Sequence, residues 1–308
     1  MNPTNACSKK QSFQKKVKEK SPIKWSLASD QKEKSTSKEK SMTYMLIPYL
    51  GFGTLTGITA SLFGLGGGLI VVPTLLWLLP SEGIPHEIVM HAAIATSLAV
   101  MILNSLNSTY HHAIRGNILW KKVYTLSPCI AVGSLIGVWS SGFLSHPIMK
   151  TCFVLFMGYT IFKTLLSKHF IYASSEKKLV KPSILTTYLL GMTIGFIATT
   201  LGIGGSVMTI PLLRRWNAKM VQATATANPL SIPIALVGSL GNLVFLHNDA
   251  PLPHFLGWIY LPAFLGIAIG GFLGVPMGVK ISKLIPDQAF AKMYMALLIL
   301  ALLAVLAH

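Results

Sequence analysis

Acidic residues are scarce in this sequence, and none lies deep inside an apolar run. Only nine of the 308 residues are Asp or Glu. All of them fall in the N-terminal tail or in connections between apolar runs: Glu19, Asp30, Glu33, Glu39, Glu82, Glu87, Glu176, Asp249 and Asp287. Proton relays and sodium sites in transporters commonly use a carboxylate within the membrane. The lack of one argues against a cation substrate and favours an anion held by dipoles, hydroxyls and amides.

Cysteine is rare as well. Cys7, Cys129 and Cys152 have neither the spacing of a metal site nor the even number of a disulfide framework. The glycine-rich stretches are not followed by the Lys and the Ser or Thr of a nucleotide-binding loop. No metal, no cofactor and no ATP hydrolysis are therefore expected, and the sequence does not favour an enzyme.

Apolar residues dominate instead. The chain is 52% hydrophobic and 11% charged, which contradicts a pair of soluble domains. The expected fold class is an all-α polytopic membrane protein, because eight apolar runs are long enough, or nearly so, to cross about 30 Å of hydrocarbon as helices. Two shorter runs, Gly68–Pro80 and Gly205–Leu213, are interpreted as re-entrant or partial helices, or as short spans in a locally thinned bilayer. The eight long runs are Tyr44–Phe63, Val89–Tyr110, Val123–Ser145, Ile148–Ser167, Ile184–Leu201, Met220–Leu246, Phe255–Val279 and Gln288–Ala307.

One stretch occurs twice. Gly57–Pro73 reads G-I-T-A-S-L-F-G-L-G-G-G-L-I-V-V-P, and Gly195–Pro211 reads G-F-I-A-T-T-L-G-I-G-G-S-V-M-T-I-P. The shared glycines and the proline keep one constant spacing of 138 residues between the copies, which indicates a duplication. Two tandem homologous repeats are expected, 44–168 and 184–308, joined by a basic linker at 169–183.

In each copy an apolar run ends in a glycine cluster and a shorter apolar run follows, which indicates a helix that breaks and restarts within the membrane. Irregular backbone is tolerated there only where protein or a water-filled cavity surrounds it. A restarted helix offers unpaired N–H groups and the positive end of its dipole, so each cluster is a candidate anion site. Close helix packing through small residues is the alternative explanation.

The doubled G-x-G-G-[GS] cluster, with a Pro five residues on, resembles the signature of the sulfite exporter TauE/SafE family. The resemblance covers roughly Met45 to the C-terminus. It implies a permease of the bacterial inner membrane that moves sulfite, a sulfonate or a related small organic anion.

Polar residues cluster in the long apolar run that comes after each of the two short runs. The segments A-I-A-T-S-L and A-T-A-T-A-N resemble each other, which makes Thr96 and Thr226 counterparts. Hydroxyls and amides could donate to an oxyanion, although helix-to-helix hydrogen bonding explains single residues as well. The full set of candidate substrate-binding residues is Gly64, Gly66, Gly67, Gly68, Thr96, Ser97, Asn104, Gly202, Gly204, Gly205, Ser206, Thr226 and Asn228.

Residues 1–43 hold eleven lysines and four acidic residues, and such a composition favours a disordered tail. A lysine-rich arm ahead of the first span is expected to stay in the cytoplasm, where it can lie on anionic lipid head groups. Without an aromatic platform or a known module, the lysines do not indicate nucleic-acid binding. The rule that basic connections stay in the cytoplasm gives no consistent orientation for the second half. Both parallel and inverted repeats therefore remain open, as does the oligomeric state.

The function that these features favour is secondary transport of a small anion, with a site between the two helix breaks and alternating exposure by rocking of the repeats. An anion channel built on the same site is one alternative. A membrane-embedded enzyme and a signalling or scaffold protein are two others, with Ser206 as the candidate nucleophile of the enzyme.

Overall fold

The computed structural model describes residues 46–166, 184–244 and 254–307. The expected tail at 1–43 and linker at 169–183 lie outside these ranges. Apart from one short antiparallel β-hairpin, the described secondary structure is helical. Its elements are α1 Leu46–Phe63, α2 Gly68–Ser81, α3 His86–Ile114, α4 Trp120–Ser141, α5 His146–Leu166, α6 Ile184–Leu201, α7 Ser206–Arg215, α8 Met220–Val244, β1 Phe255–Leu256, β2 Ile259–Tyr260, α9 Leu261–Ile281 and α10 Asp287–Leu306.

Seven of these helices are long and apolar enough to cross a membrane, namely α1, α3, α4, α5, α8, α9 and α10. Helix α2 and the apolar part of α6 are shorter. The expectation of an all-α polytopic membrane protein is confirmed. The predicted run Phe255–Val279 is wrong at its start, because residues 255–260 pair as the hairpin and α9 begins only at Leu261, ahead of Pro262 in its first turn.

The two halves exchange helix partners. Helix α1 packs against α9 of the second half, and α6 packs against α4 of the first half, in both cases through glycines that let the backbones approach. A Cβ on Gly274 would collide with the backbone of Thr54, and one on Gly133 would collide with the backbone of Met192. Each pair is the repeat counterpart of the other, so the same contact is made twice with the halves interchanged.

Hydrogen bonds between helix ends repeat in the same reciprocal way. The hydroxyl of Thr96 accepts a bond from the N–H of Tyr260, just before α9, over 3.0 Å. The hydroxyl of Thr226 accepts one from the N–H of Leu119, just before α4, also over 3.0 Å. Thr96 and Thr226 are therefore structural counterparts, as the sequence predicts. The halves are related by a pseudo-twofold axis.

The contacts also give the direction of each repeat. Along α1 and α9 they advance together, from Gly53 beside Ile267 to Ile58 beside Gly278, so these two helices are parallel. Helices α3 and α9 are parallel too, since Thr96 meets Tyr260 and Asn107 bonds to Phe272. Because α4 starts where α3 ends, it runs back through the membrane, and α6 lies parallel to it. Helices α1 and α6 are thus antiparallel, and the repeats are inverted.

The short helix α2 returns the chain to the end of the bundle where α1 begins. The hydroxyl of Tyr49, in the first turn of α1, donates to Glu82, just beyond α2, over 2.7 Å. Of the alternatives for this run, a short span fits, whereas a re-entrant helix would leave Glu82 on the far side from the start of α1 and does not agree with the contact to Tyr49. We call this end the Tyr49 end. Burial, with smaller effects of nearby Glu82, raises the pKa of Tyr260 there, so its phenol stays protonated.

The opposite end collects the positive charge. Lysines and arginines near helix termini at this basic end are Arg115, Lys121, Lys122, Lys163, Arg214, Arg215, Lys219, Lys280 and Lys283. The ammonium group of Lys122, in the first turn of α4, lies 4.3 Å from the ring centroid of Trp216. This contact links the start of α4 to the end of α7. Among the described residues of the Tyr49 end, Lys150 is the only Lys or Arg.

Candidate functional site

Both glycine clusters form breaks between helices, and glycine is required by the backbone. The φ angles of Gly64, Gly66 and Gly67 are 66°, 59° and 95°, and those of Gly202 and Gly204 are 66° and 77°. Side chains other than glycine rarely adopt this left-handed region. The reversal of the chain from α1 into α2, and from α6 into α7, depends on it.

The two breaks touch each other in the middle of the bundle. A Cβ added to Gly68 would lie 2.6 Å from the carbonyl oxygen of Gly202, and one added to Gly204 would lie 2.9 Å from that of Leu65. Ser97 of α3 fixes the contact from one side, since its hydroxyl donates to the carbonyl of Gly202 over 3.0 Å. The positive N-terminal ends of α2 and α7 therefore start at a common, fully buried place.

The surroundings of the two breaks differ in polarity. In the first repeat, a Cβ on Gly67 would meet the amide of Asn104 and the side chain of Thr56. In the second repeat, a Cβ on Gly205 would meet Ile234 and Ile194, which occupy the counterpart positions. Asn104 and Thr56 thus lie beside the first break where Ile234 and Ile194 lie beside the second, whose own polar side chains are Ser206 and Thr209, the latter bonded to the carbonyl of Gly205.

Asn104 is a buried amide at the first break whose hydrogen-bonding groups are unused. Its side chain is fully buried beside Gly67, and neither its amide nitrogen nor its oxygen has a hydrogen-bond partner among the described residues. Ser105, whose hydroxyl lies against Gly66, and Ser206, at the start of α7, also have buried hydroxyls of this kind. Leaving such groups unpaired costs about 1–3 kcal/mol each. A small oxyanion between them would accept their N–H and O–H bonds.

All thirteen residues predicted for the site are buried. The structure brings the glycines of both clusters, Ser97 and Asn104 together at the meeting point of the breaks. Thr96 and Thr226 instead hold the helix starts, and Asn228 donates to Thr224 of its own helix over 3.2 Å, with its side-chain oxygen unpaired. Sequence reasoning did not include Thr56 and Met101 in the site. Met101 fills the space between Gly66 and Gly204, and an apolar side chain gives no signal in the sequence for such a position.

The part of the chain that the structure describes contains no group of three metal-binding side chains. The donor set at the breaks consists of amides, hydroxyls and backbone N–H groups, which suits an anion better than a metal ion.

Inverted repeats whose broken helices meet at the centre of a helical bundle are the architecture of a membrane transporter. A family profile described as sulfite exporter TauE/SafE matches residues 49–305. The chain therefore belongs to the sulfite exporter TauE/SafE family, as its doubled glycine signature predicts.

Curated relatives agree with this class. The chain is 30% identical over 260 residues to a probable membrane transporter protein of Haemophilus influenzae, a match that covers 83% of this chain and 96% of the relative. It is 30% identical over 250 residues to a probable membrane transporter protein of Methanocaldococcus jannaschii, with 79% and 89% covered. A probable membrane transporter protein of Bacillus subtilis is 28% identical over 239 residues, with 75% and 88% covered. No solved structure matches the chain significantly.

Proposed function

We propose that this membrane transporter is a secondary carrier for a small oxyanion, with sulfite and short sulfonates as the leading substrates. The observation that carries the proposal is the unpaired amide of Asn104, buried beside the N-terminus of α2 where the breaks meet. The acidic residues that the structure describes, Glu82, Glu87 and Asp287, lie at helix ends, away from this place. Positive potential at the breaks is therefore not cancelled by a carboxylate.

A carrier must expose its site to each side in turn, and the fold offers a means. The breaks are in van der Waals contact, so an anion enters only when they separate. Inverted repeats can adopt two equivalent arrangements in which the roles of the halves are exchanged. The substrate would bind at the first break, and rocking of the second break against it would open the two sides alternately.

The family and the composition support a location in the bacterial inner membrane. For the orientation, the tail and the helix connections give opposite answers. The lysines of the tail favour a cytoplasmic Tyr49 end, whereas the short connections place nearly all basic residues at the other end. Short connections dominate the positive-inside rule, so we infer that the basic end faces the cytoplasm.

Flux into proteoliposomes tests the proposal. Purified protein is reconstituted, and uptake of radiolabelled sulfite is followed with unlabelled sulfite, ethanesulfonate, acetate or sodium chloride in excess. We expect saturable sulfite uptake that ethanesulfonate inhibits and sodium chloride does not. Liposomes without protein, and liposomes with protein but without a substrate gradient, are the controls.

Two results would contradict the carrier. Absence of uptake of sulfite, sulfonates and carboxylates would exclude transport of these anions. Currents from single molecules in a planar bilayer, far above carrier rates, would show a channel instead.

A further inference from the structure

The second half of α3, together with Arg115 just beyond its end, carries a row of polar groups. Only Asn104 and Ser105 of this row belong to the site at the breaks. Each member has at least one buried side-chain nitrogen or oxygen without a hydrogen-bond partner among the described residues. The members of this polar row are Asn104, Ser105, Ser108, Thr109, His112 and Arg115.

The row follows one side of the helix. Successive residues of an α-helix are about 100° apart, so Asn104, Ser108, His112 and Arg115, at steps of four, four and three, lie nearly in line. This line of residues lies on the side of α3 that faces α1 and α9. His112 Nε2 donates to the carbonyl oxygen of Ser61 in α1 over 3.0 Å, which leaves Nδ1 as its unpaired atom.

Glycines of α9 lie opposite this line of residues. Gly271 lies against the side chain of Asn104, and Gly278 lies against Ser61, the partner of His112. Because Gly271 has no side chain, the amide of Asn104 lies directly against the backbone of α9.

The counterpart face of α8 lacks such a row. Its residues at the positions matching Asn104, Ser105 and Ser108 are Ile234, Ala235 and Gly238. The matching face of α8 keeps polar side chains only at Ser239 and Asn242, the counterparts of Thr109 and His112, and of these Ser239 is unpaired and Asn242 is bonded within its helix. A role in helix packing common to both repeats accounts for these two, but not for Asn104, Ser105 and Ser108, which are buried without partners in the first repeat alone. This difference between α3 and α8 indicates a function that only α3 has.

The positions of the two ends of the row indicate what this function is. It begins at Asn104, beside the first glycine break, and it ends at Arg115, at the basic end of the bundle. We propose that the polar row of α3 is the path along which the small oxyanion passes between the central site and the basic end. The proposal rests on the proposed carrier function. The amide of Asn104, the hydroxyls of the row and Arg115 supply successive donors that replace the water around the anion.

Cysteine labelling with an anionic reagent tests this path. In a full-length background with Cys7, Cys129 and Cys152 replaced by Ala, single variants Ser105→Cys and Ser108→Cys are compared with the matched variants Ala235→Cys and Gly238→Cys. The membrane-impermeant probe is sulfonatoethyl methanethiosulfonate, added to proteoliposomes from one side at a time. Lys121→Cys and Ser81→Cys, both exposed, mark the basic end and the Tyr49 end.

We expect Ser105→Cys and Ser108→Cys to react at least about tenfold faster than their counterparts in α8, because thiol reactivity follows access to water. Reaction should occur from the side on which Lys121→Cys reacts, and excess ethanesulfonate should slow it. Equal rates in α3 and α8, no reaction in α3, or reaction only from the side of Ser81→Cys would overturn the path.

Flux of sulfite measured on the same preparations separates the two proposals. Flux without labelling of α3 contradicts the path and leaves the carrier intact. Labelling of α3 without flux of any anion contradicts the carrier function while showing that the row is open to water. Because Ser105→Ala removes only a hydroxyl, its flux is a second measure: the path predicts reduced flux for Ser105→Ala and unchanged flux for Ala235→Ser.

Discussion

Asn104 shows how one residue distinguishes two otherwise similar repeats. Its backbone position is matched by Ile234 in the second half, and both side chains lie against a glycine of a helix break. An amide without partners at such a place lowers stability, whereas an aliphatic side chain does not. Retaining it is understandable if the substrate supplies the missing hydrogen bonds.

Replacing Asn104 by Leu should therefore separate transport from stability. We expect sulfite flux to fall by about tenfold or more, equivalent to about 1.4 kcal/mol of lost binding. The thermal unfolding midpoint in detergent should stay the same or rise, because a buried unpaired amide is removed.

Asn242→Leu is the matched control. The amide of Asn242 donates to Gly238 within its own helix over 2.8 Å, so this change should cost some stability and leave flux intact. A large loss of stability in Asn104→Leu would indicate that Asn104 serves the fold and not the substrate.

At the scale of helices, Thr96 and Thr226 link the repeats by accepting the backbone N–H that precedes α9 and α4. Thr→Val keeps the shape and removes the acceptor. We expect Thr96→Val and Thr226→Val each to lower the free energy of unfolding by about 1–3 kcal/mol, because a buried N–H loses its partner.

Thr151→Val, in which an exposed hydroxyl bonded to its own helix is lost, should be nearly neutral in the same denaturation measurement. If only one of the two linking threonines proved important, the reciprocal arrangement of the repeats would be in doubt.

Close helix packing gives a second prediction at this scale. A Cβ on Gly133 or on Gly274 would collide with backbone of the partner helix, which cannot move aside cheaply. Gly133→Ala and Gly274→Ala should both reduce the unfolding midpoint and the yield of folded protein in detergent.

Gly158→Ala is the control, because a Cβ there meets nothing within 4 Å. It should be neutral or stabilise α5 by up to about 1 kcal/mol through better helix propensity. Equal loss in all three variants would mean that glycine is needed for reasons other than close approach.

For the whole molecule, the distribution of charge between the two ends is the basis of the proposed orientation. The basic end carries the connections after α3, α7 and α9, and nearly all described lysines and arginines lie there. The acidic residues Glu82 and Glu87 lie at the Tyr49 end. This arrangement follows from the return of α2 to the end of the bundle where α1 begins.

An impermeant thiol reagent on whole cells, with single cysteines in a Cys-free background, measures the orientation. We expect Ser81→Cys to react in intact cells and Lys121→Cys to react only after the cells are opened, because positive connections stay in the cytoplasm. The reverse pattern would show that the lysine-rich tail fixes the orientation.

The sequence by itself determined the class of protein, the duplication, the helix breaks and the lack of carboxylates within the membrane. These features follow from composition, local periodicity and glycine spacing, which need no knowledge of distant contacts. Only the tertiary structure decided that the repeats are inverted, that each first helix packs on the other half, and that an amide lies beside the first break where the second has an aliphatic side chain. Those facts depend on which helices meet, and residues such as Thr56 and Met101 acquire their place from partners far along the chain.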